Sequence, residues 1–572
     1  MIATPRRVQS SDGVSLAVYE SGDPDSPALV LMHGYPDNHT VWDPAAALLA
    51  ERFHVVQYDV RGTGESDKPG STSAYRIEHL VADFTAVIDA TSPDAPVHVL
   101  GHDWGSTQAW AAVTTPELQG RITSYTSISA PSLDYAGAWL RDLGHDTGTK
   151  LRQLAHSTYI GIFQLPALPE LLARAGVLDR LAQFQARGTH SSRSVPVEPQ
   201  RGLPDKINGL ELYRANIGHR PQPVRTTIPV QIIVPRKDPY IGRDVAVESA
   251  RPWVDDLTVH EVAGGHWIVS ERPDVIARLA TEFIDGLGAP RPAPRPASRG
   301  PHAGHFVIVT GGARGIGRAT ALEYARQGAD VLIADIDDVA AKETVGELRE
   351  LGVDAWSWHL DVSDVDAWEA FAREVQAEHG APDVMVNNAG IGMGGPLLGT
   401  TAADWGRVVN VNMWSVIHGS RLFAAQLVER GQGGTIVNVA SAAAYTPSTA
   451  WPAYATTKAA VLMLTECLRA ELACEGITVT AVCPGIVDSN IAASTVHVGV
   501  DSQTAEARRE HQIASYQRRN YSPDKVARQL VRAATAGRPI VHVTPEARAM
   551  RALSRISPRL MQRLARVDLN AL

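Results

Sequence analysis

Between Leu287 and Gly304 the chain reads LGAPRPAPRPASRGPHAG, with five prolines and three arginines in a run that interrupts every periodic pattern around it. Alternating proline favours an extended, semi-stiff and solvated spacer, which cannot belong to a packed core. The 572-residue chain must therefore fold as separate units on either side of this stretch. Each side opens with its own apolar strand, GVSLAVYE from Gly13 and FVIVT from Phe306, and the halves share no internal repeat. The expected organisation is a first domain over 1–286, a linker over 287–304, a second domain over 305–545 and a basic tail over 546–572. Apolar residues make up 44% and charged residues 20%, as in globular proteins. A net charge of −9 gives no global reason to expect nucleic acid as a partner, since that usually needs a clustered basic surface.

In the first half the most informative stretch is VHVLGHDWGSTQAW, Val97 to Trp110, which reads as strand, sharp turn and helix. Small neighbours at Gly101, Gly105 and Ser106 suit a strained turn that lifts Asp103 above the end of a sheet. A carboxylate is already ionised at neutral pH, so it can attack an sp3 carbon without a base first removing a proton. That chemistry points to epoxides or alkyl halides and away from acyl esters. Upstream, ALVLMHGYPDNHTVW places backbone amides after a strand, and the amides of Tyr35 and Trp104 could form an oxyanion hole. Downstream, Asp238 follows the strand VQIIVP and His266 follows a glycine break in EVAGGHW, so the order is nucleophile, acid, histidine.

These motifs, HGYP at 33–36, GHDWG at 101–105, Asp238 and GGHW at 264–267, resemble the epoxide hydrolases of the α/β-hydrolase fold over residues 5–285. The resemblance implies a helical lid over about 131–225, with Tyr159 and Tyr213 at the positions of the two phenols that polarise the epoxide oxygen. Haloalkane dehalogenases share the aspartate elbow and remain an alternative, although they usually carry asparagine or glutamate where Tyr35 stands. A non-catalytic lipid-binding module is a second alternative. The apolar lid segment IGIFQLPALPELL suits a lipophilic substrate, and ordinary lid packing equally.

In the second half, HFVIVTGGARGIGRATALEYARQGADVLIADID gives a strand, a turn with Gly311, Gly315 and Gly317, a helix and a second strand ending at Asp335. Such glycines let the backbone approach a pyrophosphate at a helix N-terminus, and an acid 18 residues after Gly317 can bind a ribose hydroxyl. Asp335 favours NAD over NADP, and Arg314 argues mildly the other way. Further on, Ser441 precedes Tyr454 by 13 residues and Lys458 follows it by four, one helical turn. The ammonium can then lower the phenol's pKa while Ser441 holds the substrate oxygen.

TGGARGIG at 310–317, Asp361, NNAG at 387–390, YATTK at 454–458 and PG at 484–485 resemble the short-chain dehydrogenase/reductase family over residues 304–545. The resemblance implies a Rossmann-type doubly wound parallel sheet and a nicotinamide cofactor contacted by Ile316, Val362, Asn388, Ala389, Gly390, Pro484, Gly485 and Ser489. It also implies Asn412 as a proton-relay residue and a homo-oligomer formed through this domain, with no metal.

The tail from Arg548 to Arg566 spaces six arginines among Met550, Leu553, Ile556, Leu560 and Leu564. Ser557 and Pro558 predict two short helices, serine as N-cap and proline at N1. A solvated helix face is the plain reading; an anionic membrane surface or a partner domain is the alternative. Cys467, Cys474 and Cys483 read as buried packing residues of a cytoplasmic protein, and the N-terminal stretch shows no apolar signal. The combined expectation is a bifunctional α/β enzyme acting on small-molecule or lipid epoxides and alcohols.

Overall fold

The computed structural model describes residues 5–142, 144, 147–180, 201–218, 220–288 and 300–565. Most of the proline linker, 289–299, and part of the lid, 181–200, lie outside the described residues, as does the tail beyond 565. The chain divides into two compact units, Met1–Pro290 and Arg291–Leu572.

The first unit is built on an eight-stranded sheet. Its strands are β1 (Arg6–Gln9), β2 (Ser15–Ser21), β3 (Ala28–Met32), β4 (His54–Tyr58), β5 (Val97–His102), β6 (Ile122–Ile128), β7 (Val230–Pro235) and β8 (Leu257–Val262). They lie in the order β1-β2-β4-β3-β5-β6-β7-β8. β2 pairs antiparallel with both β1 and β4, and the remaining pairs are parallel. β3, β4, β5 and β7 are buried along their whole length, which is why they read as near-continuous apolar runs. Alternation divides β3 between two cores: Val30 and Met32 join Phe84, Trp110 and Tyr125, while Leu29 and Leu31 join Trp42, Ile268 and Leu279. The lid is inserted between β6 and β7 and is helical, including Leu133–Arg141, Thr147–His156, Thr158–Phe163, Leu203–Asn208 and Leu210–Asn216.

The second unit carries a parallel seven-stranded sheet of β9 (Phe306–Thr310), β10 (Asp330–Asp335), β11 (Ala355–His359), β12 (Val384–Asn387), β14 (Gly434–Val439), β15 (Ile477–Cys483) and β17 (Ile540–His542). A separate two-residue pair, β13 (Met393–Gly394) and β16 (Val496–His497), stands apart from it. The strand order β11-β10-β9-β12-β14-β15-β17 reverses direction between β9 and β12, and ligands bind such sheets outside the strand ends at that switch point. Residues 300–304 already belong to this unit, because His302 is buried against Tyr324 and Thr535.

The C-terminal pattern folds as two helices, Pro545–Ile556 and Pro558–Leu564, and the Ser557 hydroxyl accepts the Leu560 N–H. Part of the arginine face is engaged within its own unit: Arg551 donates to the Tyr445 hydroxyl and Arg548 to the His542 carbonyl. Among the described residues no helix is long and apolar enough to cross a membrane. The cysteine expectation needs correction: only Cys483 is buried, while Cys467 is exposed on the helix Pro452–Glu471 and Cys474 is intermediate. Apolar composition around a cysteine does not reveal which face of a helix it occupies.

Candidate active sites

Asp103 sits at the turn between β5 and the helix Trp104–Thr114 with φ 52°, a left-handed backbone that a non-glycine residue adopts only under strain. The neighbouring glycines make the turn possible. A Cβ at Gly101 would lie 2.5 Å from the Ser106 Cα, and one at Gly105 would lie 2.1 Å from the Met32 carbonyl oxygen. The HGYP loop follows β3 and runs directly against the elbow: the Tyr35 N–H donates to Asp103 Oδ1 at 2.6 Å. A Cβ at Gly34 would come within 2.4 Å of the Trp104 amide nitrogen, so both proposed oxyanion amides stand beside the Asp103 carboxylate.

On the other side of Asp103, His266 Nε2 is 3.5 Å from Oδ2 and His266 Nδ1 is 2.9 Å from Asp238 Oδ2. Asp238 is held in turn by the Tyr240 and Ile241 amides. Burial would depress the His266 pKa, but the carboxylates of Asp238 and Asp103 outweigh it and push it up to about 10. Burial raises Asp238, and His266 beside it more than offsets this, leaving its carboxyl below the usual range.

Tyr159 and Tyr213 come from two different lid helices and meet, with ring centroids 6.1 Å apart. The Tyr213 ring also stands 5.0 Å from Trp104 and 5.5 Å from Tyr35. Burial, reinforced by the nearby Asp103 carboxylate, holds both phenols above the ordinary tyrosine range and so keeps them protonated. The cage has members that sequence reasoning missed. Phe163 packs on Tyr35, Tyr159 and Tyr213, while the Tyr240 ring lies 4.9 Å from His266 and 5.2 Å from Tyr159. Tyr240 stands two residues after Asp238, a spacing that could have suggested it. Gln153 of the lid clamps the same loop, donating to the Tyr240 carbonyl and accepting from the Gly242 N–H.

In the second unit the glycine turn leads from β9 into the helix Gly315–Arg326, with φ 62° at Gly311 and 56° at Gly315. A Cβ at Gly317 would lie 2.0 Å from the Gly311 carbonyl oxygen, so the backbone cradle exists only without side chains. The Asn388 carboxamide donates to the Thr310 and Gly311 carbonyls, and the Thr310 hydroxyl accepts the Asn388 and Ala389 N–H groups. NNAG therefore braces the turn. Ser489 lies on its other side, with its Cβ 3.4 Å from where a Gly315 Cβ would be. Asp335, at the end of β10, accepts the Ala313 and Asp337 amides. The Arg314 guanidinium is paired with Asp337 at 2.8 Å. Asp361 is held by the Ser363 amide and hydroxyl, and Val362 beside it is buried. Gly485 packs against Thr544 and Glu546, and the Pro484 carbonyl accepts the Ala442 N–H next to Ser441. These residues fit a dinucleotide: an open helix N-terminus behind a side-chain-free turn, and a carboxylate at the ribose position.

Tyr454 and Lys458 lie on one face of the helix Pro452–Glu471, with Lys458 Nζ 5.9 Å from the Tyr454 ring centroid. Burial keeps the Tyr454 phenol protonated, and the Ser441 hydroxyl faces it. The Lys458 ammonium donates to the Val439 carbonyl at 3.0 Å, and burial lowers its pKa to about 8. Asn412 lies in a π-helical stretch, Asn410–Trp414, where its side chain exchanges two hydrogen bonds with the Ile391 backbone. A Cβ on Gly390 would fall 3.2 Å from Asn412 Oδ1 and 3.4 Å from Lys458 Nζ, so Asn412 and Lys458 converge there.

Two family models match the chain, "alpha/beta hydrolase fold" over residues 27–273 and "short chain dehydrogenase" over 305–498. A protein of Mycobacterium tuberculosis named "Probable oxidoreductase EphD" is 40% identical over 588 residues, covering 98% of each chain. Single-domain relatives match the halves. The "AB hydrolase superfamily protein YfhM" of Bacillus subtilis is 27% identical over 48% of this chain and 96% of its own. The sorbitol dehydrogenase of Cereibacter sphaeroides is 36% identical over 32% of this chain and 71% of its own.

Proposed function

Because this chain belongs to the family of EphD, in which an α/β-hydrolase domain is joined to a short-chain dehydrogenase domain, we propose that its first site opens an epoxide to a vicinal diol and its second interconverts an alcohol and a carbonyl with NAD. The observation that carries the first half is an aspartate, not a serine, on the strained elbow, with two protonated phenols from the lid beside it.

In the first step Asp103 Oδ2 attacks an epoxide carbon, since Oδ1 is held by the Tyr35 N–H. The carbon–oxygen bond breaks, and Tyr159 or Tyr213 gives its proton to the leaving oxygen. The product is a hydroxyalkyl ester of Asp103. Esterification also removes one of the two charges that hold His266 protonated. Its pKa falls, its proton restores the phenol that opened the epoxide, and the neutral imidazole, oriented by Asp238, can then take a proton from water. Hydroxide adds to the ester carbonyl, whose oxygen collects negative charge at the Tyr35 and Trp104 amides; the ester carbon–oxygen bond then breaks, the imidazolium protonates the leaving alkoxide to give the diol, and the Asp103 acid returns a proton to His266. The nucleophile's charge thus sets when the base becomes active. A dehalogenase binds halide through donors such as indole N–H groups, and Trp104, packed against the Tyr213 ring, does not make such a site alone.

In the second site a bound nicotinamide would supply the two-electron exchange. Tyr454 passes the proton to or from the substrate oxygen, the Ser441 hydroxyl orients that oxygen and favours the phenolate, and the Lys458 ammonium lies 5.9 Å from the phenol ring. NAD is the favoured form, because Asp335 would face a 2′-phosphate while the guanidinium of Arg314 is paired with Asp337. The diol of the first reaction is the alcohol offered to the second. Incubating the full chain with a panel of epoxides and chloroalkanes, with and without NAD, tests all of this. Diol formation from epoxides is expected, with NADH appearing only when NAD is present. Halide release without diol formation from epoxides would overturn the first assignment, and a diol that never reduces NAD would break the link between the sites.

A further inference from the structure

Asp37 is a fully buried carboxylate that the chemistry above does not use. It stands two residues after the Tyr35 amide, and its own N–H donates to the Gly34 carbonyl, closing the loop that holds Asp103. One carboxylate oxygen accepts from Arg201 Nε at 2.6 Å, and the other accepts the Trp267 indole N–H at 3.0 Å. Trp267 is the residue after His266, and the two rings stand 5.1 Å apart. Arg201 comes from the lid, where its guanidinium lies 4.6 Å above the Trp267 ring. The chain runs from Arg201 through the helix Leu203–Asn208 into the helix that carries Tyr213. Gly209 between those helices presses on the Tyr35 ring, since a Cβ there would lie 2.6 Å from Tyr35 Cδ2. The next residue of the loop, Asn38, donates to Asp205 of the same lid segment.

Three parts of the site that are far apart in sequence therefore meet on one buried carboxylate. Burial alone would protonate Asp37, but Arg201 more than offsets it, so the charge is held by the lid. Removing either partner leaves a buried polar group unmatched, which is why the geometry can be expected to give way as a unit.

We propose that Asp37 is a positioning residue that couples the seating of the Tyr213-bearing lid segment to the placement of the Tyr35 amide and the His266 loop. Its kinetic consequences rest on the epoxide reading; its structural consequence does not. Asp37→Asn, Arg201→Gln and Arg201→Lys in the full chain test it. Asp37→Asn is expected to lower epoxide turnover by about 10²-fold, the scale of a misplacement of about 1 Å. Because the amide and the histidine serve ester hydrolysis, the alkyl-enzyme should accumulate and appear as a mass increment on the intact protein. Arg201→Lys, which keeps the charge, should recover most of what Arg201→Gln loses. Turnover within about threefold of wild type in Asp37→Asn, or a loss without ester accumulation, overturns the proposal. Hydrogen exchange supplies the arm that needs no substrate. In Asp37→Asn and Arg201→Gln, amide exchange should accelerate together over 33–38, 201–213 and 264–270, with the dehydrogenase unit unchanged. Acceleration confined to 33–38, or none, overturns the coupling even if no epoxide is ever turned over; absence of wild-type epoxide turnover would count against the epoxide reading alone.

Discussion

His266 and Lys458 are both buried bases at the centre of their sites, and their surroundings move them in opposite directions. His266 lies between Asp103 and Asp238, and two carboxylates overcome its burial and raise it to about 10. Lys458 has a backbone carbonyl, not a carboxylate, as its hydrogen-bond partner, so burial prevails and lowers it to about 8. In the proposed mechanism the hydrolase half uses a charge that disappears when Asp103 is esterified, whereas the dehydrogenase half holds a buried ammonium beside its phenol. Their construction differs in the same way. Asp103, Asp238, His266 and the two lid tyrosines come from five separated loops and helices, while Tyr454 and Lys458 share one helical turn.

The largest test of this contrast is Asp103→Asn. It should reduce epoxide turnover by about 10⁴-fold or more, as loss of a covalent nucleophile does, while NADH-dependent ketone reduction by the same preparation persists. Unaltered epoxide turnover would sink the mechanism. Tyr454→Phe is the mirror experiment, with alcohol oxidation down by about 10² to 10⁴-fold and epoxide turnover unchanged. If the two phenols share the proton donation as proposed, Tyr159→Phe or Tyr213→Phe alone should cost about tenfold, and the double variant should approach the full general-acid contribution. Equal effects of single and double changes would mean that only one phenol reaches the epoxide.

A further test lies in stability against pH. The folded pKa of His266 is raised above the ordinary value of 6.5, so its stabilisation is complete below about pH 6.5 and is lost as pH rises towards about 10. Lys458 has the opposite sign: its folded pKa is depressed from 10.5 to about 8, so stability is gained as pH rises from about 8 to 10.5. Calorimetric melting between pH 7 and 10.5 should show the two units shifting in opposite senses. Asp238→Asn should flatten the fall of the first and Lys458→Met the rise of the second. A common shift of both transitions would show that these two groups do not dominate the response.

Much of both sites was legible because their chemistry is written locally. Gly101, Asp103 and Gly105 must be neighbours to make the elbow, Gly311, Gly315 and Gly317 to make the cradle, and Tyr454 and Lys458 to share a helix face. Ser557 and Pro558 likewise declared a helix start from two adjacent residues. What the sequence left open depends on partners brought together only by folding. The sequence could place Arg314 in the cofactor turn, but not show its pairing with Asp337, 23 residues away. Asp37 and Arg201 are 164 residues apart, and Trp267 lies 230 residues from Asp37. Local spacing can declare a turn, a cap or a helix face, because backbone geometry fixes those distances. It cannot declare which buried charge meets which counter-charge, since that depends on how strands order in the sheet and how a lid inserted between β6 and β7 folds back over them.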